Sequence, residues 1–312
     1  MWKDKKVLIT GINGFIASHL ARNLKNKGSI VYGIVLPGKN SDYPLIDCDL
    51  TDIHHAVKAV SDLKPDAIFH LGGQSTAVMA KNEPLESFKS NVITTINLLE
   101  AVRTGHKSPL VYASTRDVYD SLSSLPYIED GNLNPKTIYG CTKLLSENLI
   151  KAYFLSYGIP AVAVRASNVY GPNDLKFERI IPAVIKSVVS NENVILFGDG
   201  SDSRDFIYAE DLAEGYVILA ENLLQGKYFG EAFNFSGEKP FSIKEIAEKI
   251  IHISGKEIKI EFSPKPNSTP DIRYSSSDKA KKLLQWNPKT NIDAGLKLTY
   301  DWYLNNMHFK KV

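Results

Sequence analysis

Lys6-Val7-Leu8-Ile9-Thr10-Gly11-Ile12-Asn13-Gly14-Phe15-Ile16-Ala17 runs from an apolar stretch through a glycine-rich turn into a helix. The stretch 6–10 has the character of a strand buried on both faces of a parallel sheet. Beyond the turn, Ile16, Leu20 and Leu24 recur at helical spacing and Gly28 marks the stop. Gly11 allows the tight turn, and Gly14 lets backbone N–H groups approach a pyrophosphate at the positive end of the helix. Ala17, in the third small position, still permits close helix–strand packing. The flanking strand and helix separate this pattern from a glycine-rich turn that holds nothing. The turn itself, with Asn13, Phe15 and Ile16, is therefore a candidate dinucleotide site.

Outward from that turn the rhythm repeats, with strands expected over 30–35, 67–71, 110–114 and 161–165 and helices over 53–63, 85–104 and 139–157. Strands alternating with helices for more than half a chain predict an α/β fold, a doubly wound parallel sheet of the Rossmann type. After Arg165 the rhythm changes. Gly171-Pro172-Asn173-Asp174 is a turn, Gly198-Asp199-Gly200-Ser201 a polar loop, and Ser242-Ile243-Lys244-Glu245 a capping box opening a helix to about Ser254. The stretch 263–277, with Pro264, Pro266 and Pro270, reads as an irregular connector. The expected division is a dinucleotide-binding domain over 1–166, to which segments near 205–235 return. A smaller α/β domain, mainly 167–312, closes over the carboxyl edge of the sheet.

The bulk properties exclude several classes. A chain of 312 residues, 43% hydrophobic and 23% charged with net charge +2, is an ordinary globular composition. It offers no basic face for nucleic acid, and Lys310-Lys311 reads as a short solvated tail. No stretch has the apolar length of a membrane helix, and no signal-type segment follows Met1. Two cysteines, Cys48 and Cys141, form neither a disulfide framework nor a metal set, so the expectation is a cytoplasmic protein without a metal.

Chemistry enters through Thr115, at a strand's end, and through Tyr139 and Lys143, whose i, i+4 spacing puts them on one helix face. A free tyrosine titrates near about 10 and is a poor base at neutral pH. A nearby ammonium and an oxidised nicotinamide favour its phenolate, which then accepts a hydroxyl proton. Thr115 can hydrogen-bond the reacting oxygen. The end of the second strand, Ile34-Val35-Leu36-Pro37-Gly38-Lys39, lacks the acid that holds a ribose 2′-hydroxyl, and Lys39 either meets a 2′-phosphate or is a solvated loop residue, which tilts the choice between NAD and NADP weakly towards NADP. Asp49-Leu50, read as following a third strand, either holds the adenine amino group or forms a polar turn.

Taken together, these motifs resemble the extended short-chain dehydrogenase/reductases of the nucleotide-sugar epimerase/dehydratase group. The resemblance runs through Asp66–Gln74, Asn91–Ala101, Arg165-Ala166-Ser167-Asn168-Val169-Tyr170-Gly171-Pro172, Gly198–Tyr208 and Trp286-Asn287-Pro288. It implies that Leu71, Gly72, Gly73, Gln74 and Ser114 join Asn13, Asp49, Leu50, Tyr139 and Lys143 around the cofactor. It also implies that Asn168, Arg179, Arg204 and Arg273 face a nucleotide-diphosphate sugar, with 177–185 lining its pocket. Guanidinium forks suit phosphate. The bland alternative is that Arg204 and Arg273 pair with surface acids, Arg204 standing beside Asp202 and Asp205. The resemblance further implies a homodimer built by pairing the helices 85–104 and 139–157 into a four-helix bundle.

Members of the group begin by oxidising the sugar, usually at C4. In similar 4,6-dehydratases an acid–base pair after the catalytic Thr removes the C5 proton and protonates the departing C6 hydroxyl. Here Arg116-Asp117 stands there, followed by Asp120 in place of the common Gly, while Ala80 replaces a frequent Ser. Asp117 is the candidate C5 base. Arg116 occupies the donor position, yet a guanidinium is a very poor acid; a structural ion pair is the alternative for both. Trp2–Lys6, Arg165–Val169 and Ala232-Phe233-Asn234-Phe235-Ser236 are most similar to CDP-glucose 4,6-dehydratase-like chains. The sequence therefore favours a 4,6-dehydratase, then a 4-epimerase, then a 4-keto-sugar reductase. A non-catalytic dinucleotide sensor would not need Thr115, Tyr139 and Lys143.

Overall fold

The computed structural model of the chain describes residues 1–36, 38–237, 239–264 and 270–307. Pro37, Pro266 and the basic pair Lys310-Lys311 lie outside the described residues. The first half alternates as its hydrophobic pattern predicts: β1 (Lys6–Thr10), α1 (Phe15–Asn26), β2 (Ile30–Ile34), α2 (Ile53–Leu63), β3 (Ala67–His70), α3 (Ala77–Asn82) and α4 (Pro84–Phe88). A π-turn over Lys89–Ile93 leads into α5 (Thr94–Thr104), followed by β4 (Leu110–Thr115), a 3-10 turn over Arg116–Val118, α6 (Ile138–Tyr157) and β5 (Ala161–Ala166).

The second half contains β6 (Asn168–Tyr170), α7 (Ile180–Ser190), β7 (Val194–Phe197), β8 (Ser203–Tyr208), α8 (Ala209–Leu224), β9 (Ala232–Phe235) and β10 (Pro240–Ser242). It ends with α9 (Ile243–Ser254), β11 (Ile260–Ser263), β12 (Ile272–Arg273), α10 (Asp278–Leu284) and α11 (Ile292–Asn306). The capping box is formed in full by Ser242 and Glu245 at the start of α9.

A six-stranded parallel sheet has the order β2-β1-β3-β4-β5-β9. Strand order reverses between β1 and β3, which opens a crevice at the carboxyl ends where Gly11 sits. Both faces are covered, as the continuous apolar runs of β1, β3 and β5 demand. On one face Leu20 and Leu24 of α1 pack with Leu212, Tyr216 and Leu219 of α8. On the other, Ala56 and Val60 of α2 pack with Leu98 and Val102 of α5 and Ile150 of α6. A separate core joins Val184 and Ile185 of α7, Ile246 and Ile250 of α9 and Leu296 of α11 with Leu196 of β7 and Phe206 of β8. There β8 lies between β10 and β12 and also pairs with β6, while β7 pairs with β11.

Three expectations change. The helix over 85–104 is a composite, with a wide turn at Lys89–Ile93 that carries Asn91 into the interior. The hydroxyls of Thr94 and Thr95 each take a carbonyl four residues back, Ser90 O and Asn91 O, both at 2.6 Å. Asp49-Leu50 follow no strand: only one bridge, Leu45 to Gly33, forms there, and the acids Asp42, Asp47 and Asp49 with Pro44 disfavour more. The connector 263–277, expected to be irregular, includes the short strand β12.

Candidate active site

The glycine turn is built for close approach. Gly11 has φ +67°, and a Cβ on it would stand 2.8 Å from the Cα of Gly72. Gly14 donates its N–H to Gly11 O at 2.8 Å and begins α1 with no side-chain cap and no acid in the first turn. The first-turn N–H groups thus form a positive helix end with no side chain offsetting it. Phe15 and Ile16 are half-buried on that turn, and Asn13 Nδ2 donates to Asn40 O at 2.8 Å, tying down the loop that carries the exposed Lys39. These features fit a dinucleotide whose pyrophosphate rests on α1.

His70, not singled out for a role by its sequence position, holds the turn together. Thr94 Oγ1 gives its proton to Ser90 O at 2.6 Å, so towards His70 Nε2, 3.4 Å away, it acts as acceptor and the His70 proton sits on Nε2. His70 Nδ1 then accepts from Thr10 Oγ1 at 2.7 Å, and the same Thr10 oxygen accepts the Gly72 N–H at 2.9 Å. Burial, reinforced by the charge of Lys143, pushes the imidazole down to about 3, so it is neutral.

Several expected cofactor residues also make hydrogen bonds within the protein. The buried Gln74 accepts the Ser87 hydroxyl and donates to Glu83 Oε2 at 3.3 Å. Asp49 Oδ1 closes a local turn, accepting from Thr51 N at 2.9 Å and Thr51 Oγ1 at 2.8 Å. Leu50 is buried, and its carbonyl takes Asn97 Nδ2 at 2.9 Å. Ser114 gives its hydroxyl proton to Glu147 of α6. Leu71, half-buried, and Gly73, exposed with φ +143°, remain along the crevice beside Gly72.

Thr115, Tyr139 and Lys143 converge where β4 meets α6. Thr137 caps α6 by accepting the Gly140 N–H at 3.0 Å, which places Tyr139 in the first turn. Lys143 is buried; its Nζ donates to Ala113 O at 2.8 Å and lies 5.9 Å from the centre of the Tyr139 ring. Burial draws Lys143 down to about 8 against the pull of Glu147. Burial and the Asp117 carboxylate push the Tyr139 phenol up to about 12, against its hydrogen bond with Thr115 and the charge of Arg179. Glu147 is itself held by Arg165, with NH2 2.7 Å from Oε2 in a buried pair.

Arg116 takes the second of its two expected readings, a structural ion pair. Its guanidinium is 5% exposed, with NH1 2.5 Å from Asp205 Oδ1 and 3.1 Å from Arg273 O, and NH2 3.1 Å from Asn168 Oδ1. It is thus committed to three acceptors. Asp117, its side chain 32% exposed, is 3.9 Å from Arg116 Nε. Asp117, Arg116 and Arg273 line a small pocket with Tyr119, Tyr127 and Lys136. The neighbouring Asp120 holds its loop, accepting from Leu122 N at 3.1 Å and from Asn134 Nδ2 at 3.2 Å.

Arg204 and Arg273 both pair with an acid, as the alternative reading has it, and that acid is Asp271. Arg204 NH2 is 2.7 Å from Asp271 Oδ2, and Arg273 Nε is 2.9 Å from Asp271 Oδ1. Arg179 NH1 is 3.1 Å from Asp174 Oδ2, at the start of α7 on the Tyr139 side of the cleft. Among the described residues no cluster of His, Cys, Asp and Glu has the makings of a metal site, and no helix is long and apolar enough to cross a membrane.

Comparison with known proteins finds relatives of the whole chain. The profile of the NAD dependent epimerase/dehydratase family matches residues 7–234. The chain is 32% identical, over 98% of its length, to a trifunctional UDP-glucose 4,6-dehydratase/UDP-4-keto-6-deoxy-D-glucose 3,5-epimerase/UDP-4-keto-L-rhamnose-reductase of Arabidopsis thaliana, and spans 48% of that protein. It superposes with a TM-score of 0.88 on the crystal structure of UDP-glucose 4-epimerase from Thermotoga maritima with UDP-glucose, at 25% identity, covering 97% of this chain and 100% of that one. UDP-glucuronic acid 4-epimerase from Bacillus cereus, in complex with UDP-glucuronic acid and NAD, matches with a TM-score of 0.84 at 29% identity, covering 96% and 99% of the two chains.

Proposed function

The chain belongs to the NAD dependent epimerase/dehydratase family, and from that premise we propose that it is a nucleotide-sugar 4-epimerase working through a 4-keto sugar. Gly11, Gly14 and the first N–H groups of α1 hold the cofactor's pyrophosphate, and Lys39 meets a 2′-phosphate, which favours NADP over NAD. The nicotinamide, when bound, supplies the acceptor and donor of hydride. Tyr139 takes the proton of the C4 hydroxyl on its phenolic oxygen, while the Thr115 hydroxyl holds the same sugar oxygen in line. The Lys143 ammonium, 5.9 Å from the ring centre, favours the phenolate that this transfer needs. Asn168, Arg204, Arg273 and Arg179 receive the nucleotide diphosphate. The dinucleotide-binding part comprises 1–166 with 205–235, and the remainder binds the sugar nucleotide.

Arg116 carries the choice of outcome. Loss of water across C5 and C6 needs a base for the C5 proton and an acid for the departing hydroxyl. Asp117 can be the base, and it is the observation that keeps a 4,6-dehydratase as the second reading. The neighbouring donor position holds a guanidinium, a very poor acid, bound to Asp205, Asn168 and Arg273 O. Without that acid the ketone is reduced again at C4, on either face.

Incubation with UDP-, dTDP-, CDP- and GDP-hexoses without added cofactor tests the reading. It expects one substrate to give a C4 stereoisomer of unchanged mass. Loss of water would instead make the chain a dehydratase, and no turnover of any of them would remove the proposal.

Two further assignments accompany it. The outer face of α4, the π-turn and α6, with Leu85, Ile93 and Leu145 exposed, supports a homodimer through a four-helix bundle; a single monomeric species in light scattering would remove it. Two unpaired cysteines support the cytoplasm, where thiols stay reduced.

A further inference from the structure

We infer that Arg116 is a positioning residue for nucleotide-sugar binding, fastening the strand end that bears Thr115 to the second sheet that bears Asn168, Arg204 and Arg273. The inference rests on the function proposed above.

Arg116 follows the last residue of β4 in the main sheet, whereas Asp205 lies in β8 at the middle of the second sheet. The two are 89 residues apart in sequence, and Asp205 is fully buried. One planar fork gathers three segments: Asp205 of β8, Asn168 of β6 and the Arg273 carbonyl of β12. The other oxygen of Asp205 accepts from Ser167 Oγ at 2.5 Å and Ser275 N at 3.0 Å. Arg273 continues the chain through Asp271 to Arg204. With water excluded from both partners, the pair is strongly coupled, and its loss is not made good by solvent.

Lysine keeps the charge but not the fork, so it cannot reach all three acceptors at once. The proton-transfer residues hold their places by other bonds. Lys143 is fixed to Ala113 O, and Thr115 by the β4–β5 ladder and by accepting the Asp117 N–H at 3.2 Å. Disturbing Arg116 therefore loosens the phosphate-facing side of the cleft and leaves the chemistry in place.

The test uses the holoenzyme with Arg116→Lys and Ser167→Ala. Binding of UDP, dTDP, CDP and GDP is measured by calorimetry, and KM, kcat and their pH profiles on the turned-over sugar nucleotide. Arg116→Lys is expected to weaken the nucleotide that the wild type binds, and to raise KM, by about tenfold or more, with kcat within about threefold and its pH profile unmoved. Ser167→Ala strands no buried charge, and is expected to weaken binding about threefold; it decides the matter if Arg116→Lys does not fold.

Unchanged binding and KM with a lowered melting temperature would make the ion pair merely structural and overturn the inference. A fall in kcat with a shifted pH profile and unchanged KM would make Arg116 a proton donor and overturn it as well. A wild type that binds none of the four nucleotides would overturn the function proposed above, and this inference with it.

Discussion

Lys143 Nζ lies 5.9 Å from the centre of the Tyr139 ring while its proton bond goes to Ala113 O at 2.8 Å. The ammonium is held near the phenol by the backbone of β4 rather than by the phenol itself, so its charge acts at a fixed distance. With the phenol pushed up to about 12 and the amine down to about 8, both are protonated at neutral pH. Tyr139→Phe removes the proton acceptor, and Lys143→Met removes the charge that favours its phenolate. Each is expected to lower kcat by about 10²–10⁴-fold while bound cofactor, read by absorbance, stays. Loss of the Lys143 proton is also expected to lower wild-type kcat as pH rises through about 8. A rate that holds level to pH 10 would contradict the role given to Lys143.

His70 gives the fold an acid limb. Its folded-state pKa, about 3, lies below the ordinary 6.5, so between these values the unfolded chain binds the proton that the folded chain refuses. Its contribution is present above pH 6.5 and is lost as pH falls, by about 2 kcal/mol between pH 6.5 and 5. Denaturation of His70→Gln across that range should show a flatter slope than wild type by this amount. Parallel slopes would show that the imidazole is not refusing a proton.

Gly11→Ala tests the turn. The added methyl meets Gly72 Cα at 2.8 Å, and a left-handed residue other than glycine costs roughly 1–2 kcal/mol before that clash. Protein purified without bound dinucleotide and with a lowered melting temperature is the expected result, measured by extraction of the cofactor and by calorimetry.

Cofactor choice is tested at Lys39. The residue is exposed on the loop that Asn13 ties to the glycine turn. Lys39→Asp replaces a cation with a carboxylate suited to a ribose 2′-hydroxyl. A swing towards NAD of about tenfold or more, measured as the ratio of NADP to NAD dissociation constants, is expected. An unchanged ratio would exclude contact with the 2′-phosphate.

The main sheet was legible because burial on both faces leaves continuous apolar runs, and the glycine turn because few other residues adopt the φ of Gly11. Tyr139 and Lys143 were legible because helical spacing alone places them together. The rest depends on distant partners. His70 acquires its tautomer from Thr94, 24 residues later, and Arg116 its commitment from Asp205, 89 residues later. Arg204 and Asp205 are neighbours in sequence, yet successive strand residues point to opposite faces, so Arg204 turns to Asp271 and Asp205 to Arg116. The π-turn leaves no mark on the hydrophobic period, since it rests on the hydroxyls of Thr94 and Thr95.

The most direct test of a 4-epimerase is the fate of a deuterium placed at C4 of the hexose in the nucleotide sugar the protein turns over. Tyr139 and Thr115 handle only the oxygen-bound proton, and Arg116 offers no acid for loss of the C6 hydroxyl, so the label is predicted to remain on C4 in a product of inverted configuration. Deuterium on C6 of a product that has lost water would contradict the account and make Asp117 the base of a 4,6-dehydratase.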